Sequence, residues 1–149
     1  MAIAIALGAA HGGYELKNII KTHLIKRGIE VVDFGTNGPE SVNYPDYAHP
    51  VCEAVTSGRC LRGILVCGTG VGMSMVANKF KGIRAACCSD TFSARMTRAH
   101  NNANILCFGA RVVGYGLAGD LVDAFLGTAF EGGRHQTRVD MITKIEEEG

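Results

Sequence analysis

GILVCGTGVG, residues 63–72, is the stretch that decides the fold. It begins as a continuous apolar run over residues 63–67, which is typical of a strand buried on both faces of a parallel sheet. Three glycines then mark a tight turn, and the apolar spacing of residues 71–79 predicts a helix. A strand that turns directly into a helix is the repeating unit of α/β proteins, so this stretch predicts that fold class.

The same unit recurs along the chain. Apolar runs predict five strands, at residues 2–7, 29–34, 63–67, 84–88 and 104–108. Helical spacing predicts six helices, at residues 13–27, 46–57, 71–79, 90–100, 117–126 and 134–148. In the first helix Leu16, Ile20 and Leu24 form the apolar stripe, and Lys17 lies outside it. Residues 1–149 are therefore predicted to form a single α/β domain, a Rossmann-like three-layer sandwich with a five-stranded parallel sheet and helices on both faces.

The charge balance and composition exclude several classes of partner. Fifteen Lys and Arg against 14 Asp and Glu leave a net charge of +1, which gives no electrostatic footprint for nucleic acid. No apolar run approaches the ~20 residues that span a bilayer, so no membrane association is expected and a cytoplasmic location is predicted. The six cysteines show neither C-x-x-C spacing nor a Cys/His zinc pattern, which predicts free thiols and no metal site.

Cys67 and the glycines after it are the strongest indication of chemistry. In parallel sheets, ligands bind beyond the carboxyl ends of the strands, where Cys67 is predicted to lie. Gly68, Gly70 and Gly72 allow successive backbone N–H groups to converge, and the following helix N-terminus adds partial positive charge. Such a turn suits a phosphate or an oxyanion that forms during a reaction, and it favours the thiolate form of Cys67.

This turn also has other interpretations. A glycine turn needed only for close packing is one alternative. A dinucleotide site is a weaker one, because the spacing is G-x-G-x-G instead of G-x-G-x-x-G, although Asp90 lies at a suitable distance for a ribose hydroxyl. A cysteine phosphatase loop requires arginine where this chain has Met73, and no G-x-x-x-x-G-K-[ST] motif occurs.

Two further segments carry candidate residues. Arg134 and Arg138 are four residues apart at the start of the last helix, where a cation is disfavoured unless an anion compensates, so they indicate a phosphate site or two solvated arginines. His100 and Asn101 end a helix, where they suit acid–base chemistry and sugar hydroxyls, or simply a helix cap. His11 follows the first strand and is expected to face the same crevice as Cys67.

Taken together, these motifs resemble the type B ribose-5-phosphate isomerases almost end to end. The matching stretches are SVNYPDYA at 41–48, CGTGVGMS at 67–74, ANK at 77–79, GIRA at 82–85, HN at 100–101, GARVVG at 109–114 and EGGRH at 131–135. The resemblance implies an aldose–ketose isomerase of the pentose phosphate pathway that interconverts ribose 5-phosphate and ribulose 5-phosphate through an enediolate, without a metal or organic cofactor.

The resemblance also implies a role for each matching residue. Cys67 is similar to the base that moves the proton, His100 to the residue that opens the furanose ring, and Thr69 to a residue at that ring. The residues similar to substrate-binding positions are Gly68, Gly70, Gly72 and Ser74 of the enediolate loop, Tyr44 and Asn101 at the sugar, and His11, Arg111, Arg134 and Arg138 at the phosphate. The family builds each site from two subunits, which implies a homodimer or a dimer of dimers with His100, Asn101 and Arg111 on the partner chain.

One position departs from the family pattern. Family members typically carry Asp just before the histidine that follows the first strand, whereas this chain has Ala10. The lost carboxylate leaves two alternatives open: a hexose 6-phosphate isomerase of the allose or galactose type, and a weakly active sugar-phosphate binding protein. A third alternative, from another class, is the phosphocysteine loop of sugar-phosphotransferase subunits, which would leave Arg134 and Arg138 without a role.

Overall fold

The computed structural model describes residues 4–149 and contains a five-stranded sheet with helices on both faces. The strands are β1 Ala4–Ala9, β2 Glu30–Asp33, β3 Arg62–Cys67, β4 Ala85–Cys87 and β5 Ile105–Gly109. The helices are α1 Tyr14–Lys26, α2 Pro45–Thr56, α3 Val71–Ala77, α4 Thr91–Asn101, α5 Tyr115–Leu126 and α6 Arg134–Glu148. A short 3₁₀ turn, His11–Gly13, joins β1 to α1. The predicted fold class is confirmed.

The sheet is parallel throughout, in the order β2-β1-β3-β5-β4. The strand order reverses between β1 and β3, so loops leave these two neighbouring strands toward opposite sides and open a crevice between them. Cys67 ends β3 and pairs in register with Gly109 of β5, while Ala9 at the end of β1 pairs with Val66. The predicted functional loops therefore meet at the carboxyl ends of these strands.

Two apolar layers bury the sheet. On one face α1 and α5 contribute Leu16, Ile20, Leu121 and Phe125, all nearly inaccessible to solvent. On the other face α2 and α3 contribute Val51, Cys52, Met73 and Ala77 to a separate cluster. The continuous apolar runs of the sequence are strands covered on both sides, as their composition predicted.

The predicted boundaries need small corrections. The first predicted strand covered residues 2–7; residues 2 and 3 lie outside the described part of the chain, and the strand continues to Ala9. The 3₁₀ turn after it was not predicted, because three residues are too few for a periodic pattern. Asp90 is the N-cap of α4, since its Oδ1 accepts a 2.7 Å hydrogen bond from the Ser93 N–H.

Lys17 does not lie on a solvated face, contrary to the expectation from its place outside the apolar stripe of α1. Its side chain is fully buried, and its Nζ donates hydrogen bonds to both carboxylate oxygens of Asp33, at 2.9 Å, and to Asn37 Oδ1, at 3.1 Å. Burial alone would raise the pKa of Asp33, but the hydrogen bonds from Lys17 and from the Gly35 N–H hold that pKa below its usual value of 3.8. This ion pair ties α1 to the end of β2.

Candidate active site

Cys67 lies at the carboxyl end of β3 with its thiol facing the glycine loop. The backbone N–H of Gly70 donates a 3.1 Å hydrogen bond to Cys67 Sγ. Gly70 adopts φ 83°, a left-handed conformation that glycine takes without steric cost, and this conformation leads the chain from the loop into α3. The thiol is thereby held in one orientation at the end of the strand, as a base or nucleophile requires.

The loop is pressed against the end of β5. A Cβ at Gly70 would lie 2.7 Å from main-chain atoms of Phe108, and one at Gly109 would lie 2.5 Å from the carbonyl oxygen of Gly68. No side chain fits at either position without moving backbone. The loop is therefore held in one shape by its neighbours, which is the condition for preorganised N–H donors.

Thr69 and Ser74 use their hydroxyls differently. Thr69 is exposed, and its Oγ1 accepts a hydrogen bond from the Val71 N–H at 3.2 Å, so its own hydroxyl proton is available to a ligand. Ser74 Oγ donates to the Val71 carbonyl at 2.7 Å, and its N–H donates to the Gly70 carbonyl. Ser74 was predicted to bind substrate, but both of its donors are used inside α3.

His11 and Arg111 flank the loop on the β1 side. His11 Nδ1 accepts a hydrogen bond from the Val42 N–H at 3.1 Å, and a Cβ at Gly12 would lie 3.3 Å from the Gly68 nitrogen. The Arg111 side chain passes 3.8 Å from the point where a Cβ on Gly68 would stand. His11 and Arg111 line one cavity of about 250 Å³ beside the loop, together with Glu15, and the guanidinium of Arg111 suits an anion such as phosphate.

Tyr44 closes the opposite side of the loop. A Cβ on Gly72 would lie 2.8 Å from the ring and 3.1 Å from the hydroxyl oxygen of Tyr44, so only glycine allows this contact. The Tyr44 ring is still 41% exposed and carries its hydroxyl at the rim. The structure thus brings together the predicted residues Cys67, Thr69, Tyr44, His11 and Arg111, together with the glycines of the loop.

The other predicted residues form a second group. The rings of His100, near the end of α4, and His135, in the first turn of α6, are stacked with centroids 4.1 Å apart and planes within 9°. Glu131 Oε1 lies 3.8 Å from Nε2 of His100 and 3.5 Å from Nε2 of His135. Burial, together with the nearby His100 and Arg134, lowers the pKa of His135. Arg134 begins α6 and Arg138 lies one turn later; both are exposed, and within residues 4–149 neither has a carboxylate partner.

No role was predicted for Glu131 and His135, although both belong to the EGGRH stretch. Their four-residue spacing was visible as a possible i,i+4 pair. The stacking partner was not, because His100 reaches His135 only through the packing of α4 against α6.

The two groups lie at opposite ends of the strands, the Cys67 group at the carboxyl ends and the His100 group at the amino ends. Helix α4 begins beyond the carboxyl end of β4 and runs back to the amino end of β5, so its last residues, His100 and Asn101, lie far from Cys67 of the same chain. Arg84, just before β4, donates to the Asn101 carbonyl oxygen and confirms this placement. The expectation that Arg111 would act from a partner chain needs correction, because Arg111 lies beside Gly68 and His11 of its own chain.

The geometry argues against two of the alternative interpretations of the loop. Asp90, the candidate for a ribose hydroxyl in a dinucleotide site, caps α4 instead, and its hydrogen bond from Ser93 lowers its pKa. A loop needed only for packing would not place an N–H on the Cys67 sulfur beside a cavity that Arg111 lines. Within residues 4–149, no helix is both long and apolar enough to cross a bilayer.

A parallel α/β sheet with a thiol seated on a preorganised anion loop defines a class of Rossmann-like proteins that bind phosphorylated ligands. Residues 5–142 match the model of the Ribose/Galactose Isomerase family, and the chain belongs to that family.

Individual relatives agree with this assignment. Ribose-5-phosphate isomerase B of Escherichia coli is 54% identical over 96% of both chains. The structure of ribose-5-phosphate isomerase B from Clostridium thermocellum superposes with a TM-score of 0.97 at 57% identity, over 98% of this chain and 99% of that one. That of the Mycoplasma genitalium enzyme with bound ribulose-5-phosphate gives a TM-score of 0.95 at 42% identity, over 100% and 99%.

Proposed function

We propose that this chain is a ribose-5-phosphate isomerase that interconverts ribose 5-phosphate and ribulose 5-phosphate. The observation that carries the proposal is the hydrogen bond from the Gly70 N–H to Cys67 Sγ at the carboxyl edge of the sheet. A donor fixed on the sulfur beside a glycine loop supports the role of Cys67 as the base that transfers the proton through an enediolate. Relatives that carry this activity by name match over nearly the whole chain.

The chemistry follows from the loop geometry. The Cys67 thiolate removes the proton from C2 of the open-chain aldose and returns it to C1, while the proton of the C2 hydroxyl moves to the C1 oxygen. The Gly68 to Ser74 loop faces the enediolate oxygens and stabilises their negative charge. The free hydroxyl proton of Thr69 reaches the sugar ring oxygen. The reaction is redox-neutral and balanced by these proton movements, so the proposal includes no cofactor.

The phosphate supplies binding energy that positions the sugar carbons at Cys67. Arg111 provides one cation within the same chain, and His11 lines the same cavity. Arg134 and Arg138 provide two more cations, exposed and available to an anion. Arginine matches phosphate oxygens with two parallel donors, which makes these residues suitable for a clamp.

We infer that the complete site forms between two chains of a homodimer, alone or as part of a dimer of dimers. In one chain, Cys67 lies at the carboxyl ends of the strands. The amino ends carry His100, Asn101 and the two α6 arginines, so within one chain ring opening and proton transfer would be separated. Large apolar side chains are exposed near both groups: Val71 and Met75 on α3, and Ile142 and Ile145 on α6, at 45–71%. Such exposure suits a contact with a second copy. A cytoplasmic location stays a prediction.

Mixing two inactive variants tests the shared site. Cys67→Ala and His100→Asn should each be inactive alone. After co-refolding in equal amounts, a two-fold dimer should regain up to about a quarter of the intact sites, because half of the dimers are mixed and each contains one complete site. A mixture that stays inactive, or an active monomer in a size measurement, would contradict the shared site.

Substrate length is tested directly. Ribose 5-phosphate, allose 6-phosphate and galactose 6-phosphate are compared as substrates by kcat/KM. A clear preference for the five-carbon sugar supports the proposal, and a preference for either hexose supports the alternative that Ala10 left open. Binding of all three without turnover would indicate a sugar-phosphate binding protein.

A further inference from the structure

We propose that His100, Glu131 and His135 form a binding site for a divalent metal ion of the Zn²⁺ class. Each residue offers one ligand atom, and these atoms all lie within 4.8 Å of one another. Two imidazoles and one carboxylate are the ligand set of many open zinc sites, in which a fourth position is left to water or substrate. This ion would not take part in the isomerisation.

The distances suit such an ion. Oε1 of Glu131 lies 3.5 Å and 3.8 Å from Nε2 of the two histidines. Bonds of about 2.1 Å in a tetrahedral site place two ligand atoms about 3.4 Å apart, which both distances from Glu131 nearly match.

The backbone that carries the ligands is already fixed. The Glu131 N–H donates a 3.0 Å hydrogen bond to the Ala99 carbonyl oxygen, which ties the loop before α6 to the residue that precedes His100. The His135 N–H donates to the Gly132 carbonyl oxygen at 3.0 Å, and its ring is only 11% exposed. Binding therefore costs little chain ordering, because the donors start close to their bound positions.

One movement is required of the histidines. Their rings are parallel within 9°, so the Nε2 lone pairs run side by side instead of converging. His100 is 39% exposed, and its ring can turn about the Cβ–Cγ bond until its lone pair meets that of His135. The turn breaks the stacking of the His100 ring on His135, and coordination of both nitrogens by the ion replaces that contact.

The site has a functional consequence that rests on the proposed function. A metal ion on Nε2 of His100 takes the lone pair that would accept a proton during ring opening. Zn²⁺ should therefore inhibit turnover of the furanose form of the substrate while leaving Cys67 intact. The isomerase would be sensitive to free zinc although its reaction needs no metal.

Calorimetric titration with Zn²⁺ tests the site independently of activity. We expect Glu131→Gln and His135→Asn to raise the Kd for Zn²⁺ by at least about 10-fold, since even the outer partners of metal ligands contribute that much. His49→Asn is the matched control, because His49 forms an exposed i,i+4 pair with Glu53 at 3.4 Å elsewhere on the surface. Cys67→Ala is titrated beside them, because the proposed dimer brings the partner's Cys67 to the same site, and a Kd that rises in this variant alone assigns the ion to the thiol.

Glu131→Gln keeps the proposal testable if His135→Asn folds poorly, because Glu131 is 57% exposed. An unchanged Kd in Glu131→Gln, or a Kd that rises only in Cys67→Ala, would overturn the metal site. Zn²⁺ that binds at His100, Glu131 and His135 without inhibiting turnover would leave the site standing and contradict the ring-opening role of His100 instead.

Discussion

The N–H of Gly70 points at the sulfur of Cys67 over 3.1 Å, and the left-handed backbone of Gly70 leads the chain from this contact into α3. The hydrogen bond joins the last residue of β3 to the N-cap of α3. A substitution that changes the shape of the loop should therefore also change the surroundings of the thiol.

Cys67→Ala should abolish isomerisation while the protein still folds and binds phosphosugar. Positioned proton transfer contributes about 10²- to 10⁴-fold, and serine is too weak an acid to replace the thiol, so Cys67→Ser should retain at most a trace. Turnover of ribose 5-phosphate is the measurement. Cys60→Ala, a buried cysteine away from the loop, is the control. Near-normal turnover in Cys67→Ala would refute the base.

Arg134→Ala and Arg138→Ala should weaken phosphosugar binding chiefly through the phosphate. Each removes a charge-assisted hydrogen bond of roughly 1.5 to 3 kcal/mol, which corresponds to about 10- to 100-fold in the Ki of inorganic phosphate. Lys144→Ala is a matched control on the same helix, since Lys144 is exposed and reaches only Glu148 at 4.0 Å. If both arginine variants keep the wild-type Ki and KM, the phosphate binds elsewhere.

Lys17→Met should destabilise the fold far more than Lys21→Met. Both lysines donate to Asp33, but the Lys17 side chain is fully buried and that of Lys21 is 40% exposed. Removing one partner of a buried pair costs about 3–5 kcal/mol, whereas an exposed pair contributes about 1 kcal/mol or less. Urea unfolding of the two variants checks this. If both variants lose the same small amount of unfolding free energy, Lys21 replaces Lys17 as the partner of Asp33.

The lowered pKa of Asp33 also predicts how acid changes the stability of the fold. Its folded-state pKa is below 3.8, so its contribution to stability is fully present above that pH and is lost as the pH falls through the lower, folded-state pKa. The difference in unfolding free energy between wild type and Asp33→Asn should therefore shrink below about pH 4. A difference that stays constant from pH 7 to pH 3 would contradict the lowered pKa.

Ala10→Asp should raise kcat/KM on the true substrate about 10- to 100-fold. A carboxylate beside His11 accepts hydrogen bonds from sugar hydroxyls, each worth roughly 1.5 to 3 kcal/mol. Ala10 is 4% exposed, so the new charge should also destabilise the free protein until a sugar pairs with it. The Ki of inorganic phosphate should hardly change. An Asp variant that is no faster on five- or six-carbon aldose phosphates would show that the site has adapted to Ala10.

Local patterns predicted the part of the site that is local. Cys67 and its glycines are contiguous, so the spacing already placed an N–H donor near the thiol. The pairing of Lys17 with Asp33 and the stacking of His100 on His135 escaped prediction, because each depends on how separate elements pack. A lysine outside an apolar stripe looks solvated until the end of β2 is placed over it. The family resemblance assigned His100 and Asn101 to the partner chain, but the reason for their distance from Cys67, the direction of α4, depends on how the elements pack.

The close packing of the glycine loop against β5 limits which substitutions can change the substrate of this protein. Because a Cβ at Gly70 would collide with the Phe108 backbone, random mutation at that position yields misfolded or inactive chains whichever sugar is selected for. Adaptation to a new sugar is therefore expected at Ala10, next to His11, and at Tyr44, whose ring is 41% exposed. A directed-evolution library is best spent on those two positions, and selected variants should retain glycine at 70 and 109.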